Sequence, residues 1–234
     1  MLKVSRVPTA RLAGLARAGG DLADTSVQLS IAVACHFLAG DAPRGVPLGR
    51  EAVALARQIG APALIATALL EVGAAVVQTD PGQARACLRE SREISAALGY
   101  QKSGDLVWAA GIAFLLNDRT TTLELGRDAI RALQRSGDRL RMGITLHMIA
   151  GALAATRPDA AAIILGAAAQ AHVIETAADA NTQLITSTVA TALGEEHARE
   201  LRARGADMDW DQAVAYTLTR ATQALSELQP ATQP

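Results

Sequence analysis

Residues 50–60, REAVALARQIG, contain a pattern that occurs twice more, at 89–99 (RESREISAALG) and at 127–137 (RDAIRALQRSG). In each copy an arginine and an acid stand ten and nine residues before a glycine, and the copies lie 38 to 39 residues apart. A fixed period in this range is typical of stacked supersecondary units, usually pairs of helices. The spacing therefore predicts a repeat protein that works mainly as an extended binding surface.

The amino-acid composition favours helix along the whole chain of 234 residues. Half of the residues are hydrophobic and only 3% are aromatic, and the apolar ones are mostly alanine, leucine, valine and isoleucine. Alanine is the best helix former. The β-branched residues do not form the alternating runs that are typical of strands. We therefore expect an all-α fold.

Glycine and proline mark where the helices should begin and end. Gly20, Gly60 and Gly137 each have the position of a glycine that closes a helix, and Asp80-Pro81 has the pattern of a helix start. Apolar residues recur at three- and four-residue steps between these marks. The predicted helices span residues 22–39, 47–59, 62–79, 82–98, 102–117, 120–136, 138–155 and 159–175.

These helices predict a right-handed superhelical solenoid of antiparallel helix pairs, similar to tetratricopeptide repeats, over residues 21–176. Residues 177–228 should form a C-terminal helical cap, and residues 229–234 a tail. A further helix near 8–18 precedes the first pair. The sequence leaves open whether residues 1–20 are a partial repeat or an ordinary N-terminal capping helix.

Charge and hydropathy exclude several classes of partner. The net charge is −1, so the chain lacks the basic surface that nucleic-acid binding requires. No window approaches the roughly 18 apolar residues that a membrane span needs. Both cysteines, Cys35 and Cys87, lie in apolar helical stretches and should be reduced thiols. We expect a cytoplasmic protein that contacts neither nucleic acid nor membrane.

Motifs that carry chemistry are incomplete. The glycines at 14–19 and 40–45 have the spacing of a phosphate-binding loop, but no lysine follows them. No histidine has a second histidine three or four residues away, as a helical zinc site needs. Asp207, Asp209 and Asp211 alternate as in a calcium loop, but the required glycine and final glutamate are missing. We expect no catalytic, metal or cofactor site, and therefore no enzyme.

The concave side of the solenoid is the predicted binding surface, because the first helices of the pairs line it. Trp108 is the aromatic residue among the candidates on these helices, and rigid aromatics are frequent interface anchors. Packing in the core is the alternative role for Trp108. The candidate groove residues are Glu71, Lys102, Asp105, Trp108, Arg139, Arg141 and His147.

The recurrent arginine has a structural interpretation. Arg50, Arg89 and Arg127 stand early in the second helix of each pair, where they could link adjacent repeats through a ladder of ion pairs. Exposed pairs of this kind contribute only about 0–1 kcal/mol each. The ladder would therefore do little for stability.

Two segments near the C-terminus resemble a known family. Residues 157–170, RPDAAAIILGAAAQ, contain a Leu-Gly-Ala-Ala step, and residues 193–218, LGEEHARELRARGADMDWDQAVAYTL, end in Ala-Val-Ala-Tyr-Thr-Leu. Both resemble the helical repeat region of bacterial LuxR-type or MalT-like signal-transducing ATPases, some of which carry an adenylate cyclase domain. Nothing in this chain matches the nucleotide-binding, cyclase or DNA-binding domains of that family.

The resemblance implies a role in a signalling or transcriptional regulator. We expect a non-catalytic module that binds a protein or peptide, or that couples other domains of the same parent chain. A homodimer is also compatible with the sequence. The alternative is a sensor that binds a small-molecule effector in the superhelical groove. No cofactor is expected in either case.

Overall fold

The computed structural model describes Gly14 and residues 20–99, 102–171 and 175–228; for residues 175–180 it describes the helix but not the side chains. Within these ranges the chain forms eleven α-helices and one short 3-10 segment, and no strand. The all-α prediction is confirmed. The predictions for residues 1–13, 15–19 and 229–234 lie outside the described residues.

Numbered in chain order, the helices are α1 (Leu22–Leu38), α2 (Ala42–Gln58), α3 (Pro62–Val76), α4 (Pro81–Leu98), α5 (Ser103–Leu115), α6 (Arg119–Ser136), α7 (Arg139–Leu153), α8 (Pro158–Ala168), α9 (Glu175–Leu193), α10 (Glu195–Ala206) and α11 (Trp210–Leu228). Most boundaries lie within three residues of the predicted ones. Two do not. Helix α2 begins at Ala42 because Pro43 occupies its first turn, and Pro47 lies inside the helix. Helix α8 ends at Ala168, seven residues before the predicted end. The prediction was wrong because the alanine-rich sequence has no local stop signal and helix propensity alone does not place the end.

Three recurrent glycines close helices in the left-handed conformation. Gly60, Gly99 and Gly137 have φ angles of +64°, +62° and +68°. An L-residue with a side chain is strained at such angles, whereas glycine is not. Asp80 caps α4 by accepting a hydrogen bond from the backbone N–H of Gln83 at 2.9 Å. The helix-ending role of Gly60 and Gly137 and the capping role of Asp80 were predicted, and both are confirmed.

The chain divides into two compact units, residues 1–101 and 102–234. In the first unit, α1 packs against α2 and α3, and α3 packs against both α2 and α4. In each pair, one buried serine connects the two helices. Ser26 Oγ donates to the carbonyl of Ala52 at 3.0 Å, and Ser91 Oγ donates to the carbonyl of Ala66 at 2.9 Å. The unit therefore consists of two antiparallel pairs that contact each other through α2 and α3 and through α1 and α3.

The second unit begins with the same pattern and then departs from it. Helix α7 packs against α5, α6 and α8, in the same way that α3 packs against α1, α2 and α4 in the first unit. The remaining helices do not add a further pair of this kind: α10 crosses α8, α9 contacts α7, α8 and α10, and α11 returns to pack on α6, α7 and α8. The superhelix of the whole chain, its right hand and its tetratricopeptide-like character stay predictions.

Two glycines permit a close crossing of α8 and α10. A Cβ atom added to Gly166 in α8 would lie 1.9 Å from the carbonyl oxygen of Arg202, and one added to Gly205 in α10 would lie 1.8 Å from that of Ile163. The two backbones are therefore in direct contact. Both glycines lie in the segments that resemble the ATPase regulators, so these motif residues have a packing role.

The recurrent arginines do not link the repeats in the described part of the chain. Arg89 pairs with Glu93 at 3.9 Å and Arg127 with Asp128 at 3.6 Å, each within one helix. The acid of the pattern forms a cross-helix pair instead: Glu90 in α4 accepts from Arg57 in α2 at 2.6 Å. The predicted ladder is therefore replaced by one ion pair between second helices.

Candidate functional site: a half-exposed apolar face on α5 and α7

The first helices of the second unit present apolar side chains that are only partly buried. Helices α5 and α7 lie side by side and run in the same direction, since Gly111 approaches Met148 and Phe114 approaches Gly151. Leu140 is 44% exposed. Six further side chains are half-buried and follow one stripe on each helix: Val107, Trp108, Phe114, Leu115, Ile144 and His147. Together with Leu140, we call them the α5–α7 face.

Phe114 lies at the end of this face where α5 and α7 terminate. Its ring meets the imidazole of His147 edge to face, with 6.5 Å between the ring centroids and an interplanar angle of 76°. The same ring packs on the backbone of Gly151, where an added Cβ would lie 2.4 Å from Phe114 Cε2 and 3.0 Å from Ile185 Cδ1. A glycine in the last turn of α7 therefore lets side chains of α5 and α9 pack against the α7 backbone.

His147 behaves as an apolar ring in this environment. Its Nε2 atom is buried and has no hydrogen-bond partner among the described residues. Burial lowers the pKa of the His147 imidazole from its ordinary value, because the charged form loses hydration. The neutral ring therefore belongs to the apolar face at neutral pH, and no metal-binding group among the described residues includes it.

The structure places the other predicted groove residues around this face or away from it. Lys102 and Arg139 are exposed at the start of α5 and α7, and Asp105 lies half-buried in the first turn of α5. Because the two helices are parallel, Lys102 and Arg139 share one end of the face. Glu71 belongs to α3 of the other unit and is only 5% exposed, so little of it is available to a ligand.

Arg141 has a local structural role at the start of α7. Its guanidinium pairs with the carboxylate of Asp138, and its backbone N–H donates to the same carboxylate at 3.0 Å. These contacts cap the helix and lower the pKa of Asp138; the backbone N–H of Arg141 has the largest effect. Arg141 therefore stabilises the start of α7.

Sequence reasoning missed the apolar members of this face. Leu140, Ile144 and Phe114 were not among the predicted residues, because polar side chains, apart from Trp108, were expected to line the groove. Their spacing of three or four residues is the signal that could have found them. The same spacing also describes a buried stripe, so the sequence does not separate exposed from buried apolar residues here.

Searches for other kinds of site gave negative results. In the part of the chain that the structure describes, no group of three or more histidine, cysteine or acidic residues could hold a metal ion. No helix among these residues has the length and apolarity to cross a membrane. A scan against protein-family models found no match, and neither the curated proteins nor the solved structures contain a match to this chain.

Proposed function

We propose that this chain is a non-catalytic protein-interaction module whose α5–α7 face binds an apolar segment of a partner. The partner is a protein or peptide, or another domain of the same parent chain. The observation that carries the proposal is the partial exposure of large apolar side chains along two adjacent helices, with Leu140 44% exposed. Exposed apolar surface of this kind marks interaction sites.

The geometry of the face suits a rigid anchor. Trp108 is half-buried, so packing holds its ring while part of it remains accessible. Tryptophan loses little conformational entropy on binding and has a large contact area, which is why it is common at binding hot spots. Lys102 and Arg139 add positive charge at one end of the face. We therefore expect the partner to have an apolar anchor followed by acidic residues.

The resemblance to LuxR-type or MalT-like regulators supports a proposal about the context in which this module works. We propose that the chain corresponds to the repeat region of such a regulator, in the cytoplasm, where it couples a sensor domain to an output domain. Binding to nucleic acid would then belong to other domains of the parent protein. The proposal rests on the motifs at residues 157–170 and 193–218 and on the all-α fold.

A selection experiment tests the binding face directly. Helical peptides displayed on phage would be selected on the immobilised wild-type chain, and the affinity of each would be measured for variants. We expect Trp108→Ala to weaken binding by more than about 1 kcal/mol, roughly fivefold or more. Leu140→Asp should have a similar effect. Leu184→Asp is the matched control, because Leu184 is exposed on α9 and lies off the face.

Thermal melts of the same variants separate binding from folding. A fully buried tryptophan costs about 3–5 kcal/mol when cut to alanine, and half-buried Trp108 should cost less. Peptides that bind Trp108→Ala and Leu140→Asp as well as wild type would exclude this face as the binding site. Stabilisation of the chain by a metabolite, with no peptide selected, would instead favour a small-molecule sensor.

A further inference from the structure

The proposed function does not use a cleft in the first unit. The cleft lies over α3, between the second helices α2 and α4, and has a volume of about 360 Å³. Val53, Leu69, Val72 and Cys87 contribute its apolar wall. Arg50 and Arg57 line its polar side, and Arg57 is already paired with Glu90.

The second unit contains a counterpart of the three helices around this cleft. Residues 48–53, LGREAV, correspond to residues 125–130, LGRDAI, and the two stretches are 77 residues apart. The left-handed glycines 60 and 137 keep the same offset, as do the prolines that begin α4 and α8. Helices α2, α3 and α4 are therefore the counterparts of α6, α7 and α8.

In the second unit the counterpart of this cleft is covered by a helix. Helix α11 packs on α6, α7 and α8 together, and Arg157 at the start of α8 binds Glu227 of α11. The apolar positions beneath it, Ile130, Leu146 and Ile149, are completely buried. Their counterparts in the open cleft, Val53, Leu69 and Val72, keep exposures of 8%, 5% and 3%.

Residue size contributes to the depth of the cleft in the first unit. Val53 and Cys87 stand where the second unit has Ile130 and Ile164, and Ala86 stands where it has Ile163. Each of these residues is smaller than its counterpart, so the space between α2 and α4 is deeper. Arg50 is exposed at the edge, whereas its counterpart Arg127 is half-buried.

We propose that the cleft between α2 and α4 is the docking site for an amphipathic helix of a partner protein with acidic flanking residues. The occupant is a helix because the equivalent position in the second unit holds one. Its acids would face Arg50, which has no ion pair among the described residues. The cleft and the α5–α7 face share no residue, so this proposal does not depend on the proposed function.

Charge argues against the N-terminal segment of this chain as the occupant. The first twenty residues contain four basic residues and no acid until Asp21. They would place positive charge beside Arg50 and Arg57. The α11 segment has the opposite balance, since residues 207–228 contain four acids and a single arginine. A synthetic peptide of residues 207–228 is therefore a suitable probe for the cleft.

The test is fluorescence anisotropy of this labelled peptide titrated with the full-length chain. We expect saturable binding that weakens as the salt concentration rises, because exposed charges are screened. Arg50→Glu should weaken binding at least about fivefold, since it places like charges together. Arg85→Glu is the matched control, because Arg85 is an exposed arginine on α4 that does not line the cleft.

A second variant tests occupancy of the cleft without changing charge. Ala86→Trp places a large ring in the cleft and should abolish peptide binding, while circular dichroism and a thermal melt check the fold. Trp108→Ala should leave this binding unchanged, which distinguishes the cleft from the α5–α7 face. No binding of the peptide overturns the proposal. Equal affinities for Arg50→Glu and Arg85→Glu would also overturn it, since the peptide would then bind elsewhere.

Discussion

Substitution of Gly166 by alanine tests whether the crossing of α8 and α10 holds the second unit together. The added Cβ would lie 1.9 Å from the carbonyl oxygen of Arg202 and 3.0 Å from the amide nitrogen of Ala206. Both are backbone atoms, so no side chain can turn aside to make room. Cβ atoms essentially never approach other heavy atoms more closely than 3.0 Å, and the two helices must therefore move apart.

The required movement determines the expected cost. A separation of about 1 Å removes a quarter to a half of the dispersion energy at the contact. Overpacking in a well-packed core costs typically about 1–3 kcal/mol, and a clash with backbone belongs at the upper end. Alanine gains up to about 1 kcal/mol over glycine in a helix. We therefore expect a net loss of about 2 kcal/mol, or a fall in Tm of about 4–8 °C for a chain of this size.

The measurement is urea unfolding and a thermal melt of Gly166→Ala beside Gly104→Ala. Gly104 lies in α5 of the same unit, and a Cβ added there meets no atom within 4 Å. The control should therefore be neutral or slightly stabilised. Gly205→Ala makes the reciprocal clash with Ile163, so the double variant should lose less than the sum of the two single losses. Equal stability of Gly166→Ala and Gly104→Ala would refute the close crossing.

The remaining predictions concern titratable groups. Burial lowers the pKa of His147 below the ordinary 6.5, so the folded chain binds this proton less readily than the unfolded chain. The stability that neutral His147 contributes is present above about pH 6.5 and is lost as the pH falls below it. The free energy of unfolding, measured in urea, should therefore fall less between about pH 7.5 and about pH 5.5 for His147→Leu than for wild type. An equal fall in the two proteins would contradict this. Burial, followed by the charge of Glu90, raises the pKa of the Cys87 thiol. Cys87 should therefore react with a disulfide reagent more slowly than the partly exposed Cys35, and faster labelling of Cys87 in single-cysteine variants would contradict the structure.

The helices and their ends could be predicted because the signals act over a few residues. Gly60 and Gly137 close helices because glycine alone is unstrained at positive φ, and this does not depend on distant contacts. Asp80 caps α4 through a backbone N–H only three residues away. The start of α2 was placed five residues late because Pro43 and Pro47 both suit a helix start, and local rules did not choose between them.

The exposed apolar face on α5 and α7 could be predicted only in part, and its role in binding stays a proposal. Trp108 and His147 were predicted for the first helices, and both lie on the α5–α7 face. The sequence did not show that Leu140 is 44% exposed while Leu146, six residues later on the same helix, is completely buried. Both are leucines in an apolar helix, and the difference depends on which other helices pack against each side.

The sequence by itself determined the all-α class, the repeat spacing and the glycine-closed helix ends, because each depends on local backbone preferences. Only the tertiary structure decided which repeated surfaces remain open. Val53 and Ile130 occupy the same place in the repeat, yet only Ile130 is fully covered. The difference arises because α11, some 80 residues farther along the chain, returns to α6, α7 and α8. Such a contact between distant segments depends on packing, and the local sequence around either residue does not encode it.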